Sequence, residues 1–334
     1  MSYSKEIYGK ATDIINNRRL KAQREAEFRR EKIFAEHPDI EKLNREISSC
    51  GIMAAKAVLM GSDVKTELNN LKEKSLSLQE KLKKRLVESG CTANALEPHY
   101  FCTVCEDTGY YEENNKTLVC DCLKKALIKC SCDALNESSP LKLCTFDDFS
   151  LNHYSNDAQP GETSDYRKMS RILEFCKNYA ENFSNNSKSI LMRGATGLGK
   201  THLSLAIANE VIQMGYSAVY VSAPVILSKL EKEHFSNNYT AEEETLSALM
   251  DCDLLIIDDL GTEFMNNFSV SEIYNIFNSR LLRSKPVIIN TNLTLKEIES
   301  AYTQRFLSRI AGCAVRLDFV GSDVRISGEK KRNF

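Results

Sequence analysis

No uninterrupted apolar run in the 334 residues approaches the length of about 18 that a membrane-spanning helix needs. The opening residues, M-S-Y-S-K-E-I-Y-G-K, hold no apolar signal core either. Membrane-spanning and secreted classes are set aside, and the protein is expected to be soluble and cytoplasmic. Without a secretory signal, the twelve cysteines point away from a disulfide framework and toward reduced thiols and metal ligands. Charge of one sign is also lacking, since the formal net charge is −2. Residues 1–90 nevertheless hold 19 Lys+Arg against 14 Asp+Glu, so the rest of the chain is acidic. That basic excess is interleaved with acids, as on a solvated helical face or a modest nucleic-acid footprint.

Proline is scarce where helices need it to be. Residues 4 to about 89 contain only Pro38 and are rich in Glu, Lys, Arg and Leu, which reads as two or three helices. Ile40, Leu43, Ile47, Cys50, Ala54 and Ala57 alternate steps of three and four. Leu68, Leu71, Leu78 and Leu82 continue the register with Ser75 as a gap. Gly61-Ser62-Asp63 offers a C-cap followed by an N-cap between them, so an antiparallel helical hairpin is expected. Upstream, Arg18, Arg19, Lys21, Arg24, Arg29 and Arg30 surround only Leu20 and Phe28 as large apolar residues, like an exposed helix or flexible arm.

Cysteines then gather. Cys102-x2-Cys105 and Cys120-x-Cys122 offer four thiolates at a spacing that suits a tetrahedral Zn²⁺, with Asp107-Thr108-Gly109 expected as the turn between the short strands that carry them. Cys130 and Cys132 form a competing pair. So small a module cannot bury much apolar surface, and the metal would hold it together.

A linker rich in Ser, Asn and Asp follows, with Phe146 and Phe149 as anchors, and the chain then turns α/β. Ile190, Leu191 and Met192 enter Gly194-Ala195-Thr196-Gly197-Leu198-Gly199-Lys200-Thr201, which opens an amphipathic segment to Met214. That is strand, phosphate loop and helix: glycines let backbone N–H groups turn inward on phosphates, Lys200 would reach the β- and γ-phosphates, and Thr201 would hold Mg²⁺. Strands then alternate with helices, and the mostly apolar strands indicate a parallel sheet covered on both faces.

D-L-L-I-I-D-D-L-G is a buried strand that delivers two carboxylates beside the phosphate loop. Asp258 is expected on Mg²⁺, and Asp259 to orient or deprotonate the attacking water. The strand Val287 to Asn290 runs into a polar tip, where Asn292, preferred to Asn290, would fix the water or the γ-phosphate. Arg305 and Arg309 share one helix face at i and i+4. In an ATPase that assembles side by side, Arg309 would reach the neighbouring subunit's nucleotide as an arginine finger, with Arg325 a weaker candidate for a sensor in its own subunit.

G-A-T-G-L-G-K-T, L-L-I-I-D-D-L-G-T-E, N-T-N-L and Q-R-F-L-S-R-I, in this order, resemble the AAA+ ATPases of the bacterial helicase-loader group (DnaC/DnaI type) and the related IstB-type transposition helpers. F-C-T-V-C-E-D-T-G-Y…C-D-C-L-K, preceded by helices, looks like the cysteine module of Gram-positive loaders, which the transposition helpers generally lack. The resemblance implies an AAA+ domain with a doubly wound parallel sheet and a reduced lid over residues 165–334. A helical, helicase-holding region would occupy 1–90, a zinc module 91–132 and a linker 133–164. It also implies an ATP-dependent, spiral-forming loader that delivers a DnaB-type replicative helicase onto single-stranded DNA. Lys229, Lys232, Phe235 and Tyr239 are available as DNA contacts, beside Glu231 and Glu233. A transposition helper on duplex DNA is the alternative, and the phosphate loop alone would equally serve a small-molecule kinase.

Overall fold

One proline ends the first helix. α1 (Lys5–Glu36) stops just before Pro38, which opens α2 (Pro38–Met60) in the first helical turn, where a missing N–H is no loss. The structure is a computed structural model and describes residues 3–60, 64–137, 144–159, 161–236 and 239–324. It divides into two compact units, one of residues 12–123 and one of residues 1–11 with 124–334.

In the first unit, α3 (Val64–Glu88) packs along α2 as the three-four stripe predicts. Arg85 near the end of α3 pairs with Asp39 in the first turn of α2, so the two helices run antiparallel. Ile40, Cys50, Ala57 and Leu78 of that stripe are buried, and Ile33, Ile40, Leu86, Ala95 and Leu96 close one end. The expected Gly61-Ser62-Asp63 turn lies outside the described residues. The arginine-rich stretch is not a flexible arm: it lies within α1, where Arg29 and Arg30 donate to the carbonyls of Ala95, Glu97 and Leu96. Its buried stripe is made of Ile15, Ala22, Ala26 and Ile33, while Phe28 stays 71% exposed. The informative residues there were the small ones.

After α3 comes a hairpin of β1 (Tyr110–Glu113) and β2 (Lys116–Val119). Its turn is Asn114-Asn115, both with φ above +50°, as a two-residue turn matched to strand twist requires. The turn expected at Asp107-Thr108-Gly109 instead belongs to the loop carrying the first cysteine pair. There Asp107 accepts from the amides of Phe101 (2.8 Å) and Cys102 (3.0 Å). α4 (Asp121–Asn136) begins on the second pair.

The second unit is built on five parallel strands: β3 (Ser189–Arg193), β4 (Ala218–Ser222), β5 (Leu254–Leu260), β6 (Val287–Thr291) and β7 (Ala314–Asp318), in the order β4-β5-β6-β3-β7. Each strand feeds both faces, which explains the unbroken apolar runs. Ile190, Met192, Ile256 and Ile288 pack under α5 (Asp165–Glu181) and α6 (Lys200–Gln213). Leu191, Leu255, Ile257 and Ile289 pack under α7 (Ala223–Phe235), α8 (Tyr239–Asp251), α9 (Asn267–Leu282) and α11 (Gln304–Cys313). A short α10 (Leu295–Ala301) joins β6 to α11. The described residues end at Val324, six positions past β7. No described helix is long and apolar enough to cross a membrane.

Candidate functional site

The phosphate loop leaves the inner strand β3 and enters α6 with no side-chain cap on the helix. Its first amide groups are therefore left for an anion, with the helix dipole adding to the attraction. Close approach explains two of the glycines. A Cβ on Gly194 would lie 2.7 Å from the carbonyl of Phe319, and one on Gly199 would lie 2.7 Å from the ring of Phe149. Ala195 and Thr196 are exposed at the tip, and Leu198 is buried beneath it. Leu198 offers its carbonyl to the Tyr154 hydroxyl (3.0 Å), whose burial pushes the phenol up to about 12. The linker thus braces the loop, with Phe146 in the core and Phe149 stacked on Tyr154, the anchoring its sequence predicts. The Lys200 ammonium donates to the carbonyls of Gly194 (2.8 Å) and Ala195 (2.7 Å), folded along the loop it serves.

Asp258, at the carboxyl end of β5, collects three donors. Its Oδ2 accepts from the Thr201 hydroxyl (2.9 Å) and the Tyr220 hydroxyl (2.6 Å), and its Oδ1 accepts from the Asn290 amide (2.9 Å). That amide also reaches Ser204 (2.9 Å). Burial, and then the bond to Asp258, hold the Tyr220 phenol well above its ordinary value. Asn290 is fully buried, and its Oδ1 has no partner among the described residues. An orphaned buried acceptor costs about 1–3 kcal/mol. Beside a hydroxyl and a carboxylate it suits the hydrated, oxygen-loving Mg²⁺, whose waters would donate to it. The donor set fits that ion.

Asp259 is turned away from this cluster. A bulge between Ile257 and Leu260 and a left-handed φ of 55° leave Asp259 exposed at the end of β5, at a backbone cost that aspartate bears better than most residues. Of the two asparagines, Asn290 is the one that touches Asp258, and Asn292 is exposed just past the end of β6. Thr291 ties the two strand ends together by donating to the Leu260 carbonyl at 2.7 Å.

Arg305 and Arg309 lie on the outer side of α11, whose Phe306 and Ile310 are buried. Arg309 is half-buried; its Nε donates to the Tyr274 hydroxyl (3.0 Å), and its guanidinium lies 5.6 Å from the centre of that ring. Arg325 lies outside the described residues, as does the Tyr239 side chain. On α7, Lys229 pairs with Glu233 at 3.7 Å, Glu231 accepts from Asn266, and Phe235 is 70% exposed beside His234 and Phe268.

Tyr220 and Tyr302 carried no legible signal, and the L-L-I-I-D-D-L-G-T-E motif that ends on Glu263 does not announce its buried partner. Tyr220 sits two residues before Ser222, which pairs with Asp258, and only that register brings the phenol to the carboxylate. Glu263 stands five residues past Asp258 in sequence, while its partner lies beyond the next strand.

In the other unit the four cysteine sulfurs lie within 4.8 Å of one another, close enough to share one tetrahedral ion. Burial raises the Cys105 thiol, but hydrogen bonds from Cys122 and the Gly109 amide outweigh it and bring it down to about 7; burial and then Cys105 push Cys122 up. Cys130 and Cys132 are buried along α4 and are not part of the cluster.

A phosphate loop on an inner parallel strand, with a separate strand inserted between it and the strand bearing paired carboxylates, defines a P-loop nucleotide-binding domain. The sequence pattern described as IstB-like ATP binding protein matches residues 163–332, half of the chain, and the chain belongs to that family. It is 31% identical over 138 residues to the replicative helicase loader DnaC of Escherichia coli K12, covering 41% of this chain and 56% of that one. It is 25% identical over 168 residues to the replicative helicase loader DnaI of Bacillus subtilis 168, covering 48% and 52%. The chain thus spans about half the length of the curated relatives it matches. A crystal structure of the DnaC helicase loader covers 55% of this chain at 20% identity and a TM-score of 0.47.

Proposed function

We propose that this chain is an ATP-hydrolysing helicase loader that binds ATP with Mg²⁺, a DnaB-type replicative helicase and single-stranded DNA. The observation that carries the nucleotide chemistry is the convergence of Thr201, Tyr220 and Asn290 on the single carboxylate of Asp258, beside Lys200. Lys200 and the loop amides from Gly194 to Thr201 bind the triphosphate. Thr201 and Asp258 would hold the ion, which supplies charge neutralisation on the phosphates when bound. Tyr220 and Asn290 keep the Asp258 carboxylate aimed. Asp259 accepts the proton of the attacking water or orients it, and Asn292 hydrogen-bonds at the open end. Arg309 serves the pocket of an adjacent copy in a spiral homo-oligomer. The exposed Phe235, with Lys229 and Lys232, offers stacking and charge to a single strand.

The loader reading is supported by similarity to two proteins named replicative helicase loaders and by the cysteine module ahead of the ATPase domain. In the ATP-bound state, the full-length protein should co-elute with a DnaB-type helicase and prefer single strands to duplex in anisotropy at fixed salt. No helicase binding together with a duplex preference would overturn this reading in favour of a transposition helper.

The cysteine module is proposed to hold a structural Zn²⁺ through Cys102, Cys105, Cys120 and Cys122. Protein purified under reducing, chelator-free conditions should contain about one zinc per chain, and Cys102→Ser with Cys105→Ser should lose it along with part of the cooperative melting. Metal analysis that finds no zinc removes the ion from the account.

A further inference from the structure

The strongest feature left unused by the nucleotide chemistry is a buried link between the loop that carries Asp259 and the helix that carries Arg309. Glu263 is 6% exposed and Tyr302 is 2% exposed. The Tyr302 hydroxyl donates to Glu263 Oε1, and the other carboxylate oxygen accepts from the Gly261 amide at 2.8 Å. Gly261 is two residues past Asp259, and the Asp259 carbonyl accepts from both the amide (3.2 Å) and the hydroxyl (2.8 Å) of Thr262. The segment from Asp259 to Glu263 is therefore tied to itself as one turn, and its far end grips the phenol.

Beyond the phenol lies an unusual backbone. Thr303 has φ 145° and ψ 156°, a region that a β-branched residue rarely enters. It is the N-cap of α11, its hydroxyl accepting from the Phe306 amide at 3.3 Å. Tyr302 is held on both sides, by Glu263 at its hydroxyl and by Phe306 at its ring, with centroids 5.2 Å apart. The entry angle of α11, and hence the direction of Arg305 and Arg309, is fixed between these anchors. Strain of this kind persists only where its surroundings over-determine it.

We infer that Glu263 and Tyr302 are positioning residues that couple the Asp259 turn to the aim of α11, so that the state of a copy's own pocket sets how that copy presents Arg309 to its neighbour. This rests on the proposal that Arg309 acts on an adjacent copy. It goes further in naming the contact through which one pocket reports to the next. Packing alone would need no carboxylate here. Burying one next to a phenol and an amide is costly unless both bonds are kept, and both are present. Coupling travels through a contiguous element, and the hydrogen-bonded strut from Gly261 through Glu263 to Tyr302, next to the strained Thr303, is contiguous from one end to the other.

The test is a double-substitution cycle in the full-length protein, with the ATPase kcat, the nucleotide Kd and the melting temperature measured for each variant. Tyr302→Phe keeps the ring against Phe306 and removes only the hydroxyl. It is expected to lower kcat about 10-fold with nucleotide Kd unchanged. Adding it to Arg309→Ala is expected to cost nothing further, because a misaimed arginine that is already absent cannot be lost twice. Should Tyr302→Phe fail to fold, Glu263→Gln, which keeps the volume and one acceptor, must give the same non-additivity. A wild-type kcat for the folded Tyr302→Phe protein, or losses that multiply in the double variant, overturns the inference alone. An Arg309→Ala protein with wild-type kcat overturns the shared-pocket reading and the inference with it. A merely structural role would lower the melting temperature and leave the two losses independent.

Discussion

Lys200→Ala is expected to weaken ATP binding by roughly 30-fold to several thousand-fold, read as the Kd in a titration with a fluorescent ATP analogue. That range follows from the cost of truncating one partner of a buried charged contact, about 2–5 kcal/mol, at about 1.4 kcal/mol per tenfold. The ammonium is nearly buried and already folded along the loop, donating to the carbonyls of Gly194 and Ala195. Those bonds are neutral-acceptor bonds that a polyanion readily replaces, so the lysine contributes most when phosphate is present. The loop itself is braced from outside, by Tyr154 on Leu198 and by the Val324 amide on the Gly197 carbonyl at 3.1 Å. The variant should therefore stay folded, and its melting temperature without nucleotide should barely move. A Kd within about threefold of wild type would mean that the triphosphate is held elsewhere.

Arg309→Ala should act on turnover instead. Loss of an arginine finger costs on the order of 10³-fold in kcat, whereas removing a partly exposed surface side chain changes stability by about 0.5 kcal/mol or less. α11 is fastened by Phe306 and Ile310, which the substitution leaves intact, and Tyr274 loses one hydrogen bond. Nucleotide Kd should be unchanged. If kcat also stays unchanged, Arg309 is an ordinary surface charge resting on a tyrosine.

Sequence pattern reached the strand-loop-helix and the two carboxylates because each is local: the glycines, Lys200 and Thr201 are contiguous, and Asp258 and Asp259 end one apolar run. The helical hairpin was legible for the same reason, its stripe repeating at steps of three and four. What could not be read were relations set by strand register and backbone sign. Nothing in V-Y-V announces that Tyr220 will reach Asp258, which follows only from the pairing of β4 with β5. Which of Asn290 and Asn292 meets Ser204 and Asp258 depends on where β6 ends: Asn290 lies inside the strand and reaches both, and Asn292 falls one residue past its end. Asp107 suits a turn by residue type, yet the consecutive asparagines at 114 and 115 make the hairpin turn. In α1 the buried stripe includes Ala22 and Ala26, whose small side chains give little hydropathy contrast.

The central claim is that a pocket of one copy is completed by an arginine of another. It is tested most directly by mixing Lys200→Ala protein with Arg309→Ala protein, each inactive alone. Turnover regained on mixing, rising to a maximum near equal amounts, is the predicted result: Arg309→Ala supplies a working loop and Lys200→Ala supplies the arginine. A mixture as inactive as its two components, formed under conditions where wild-type copies associate, would contradict the account.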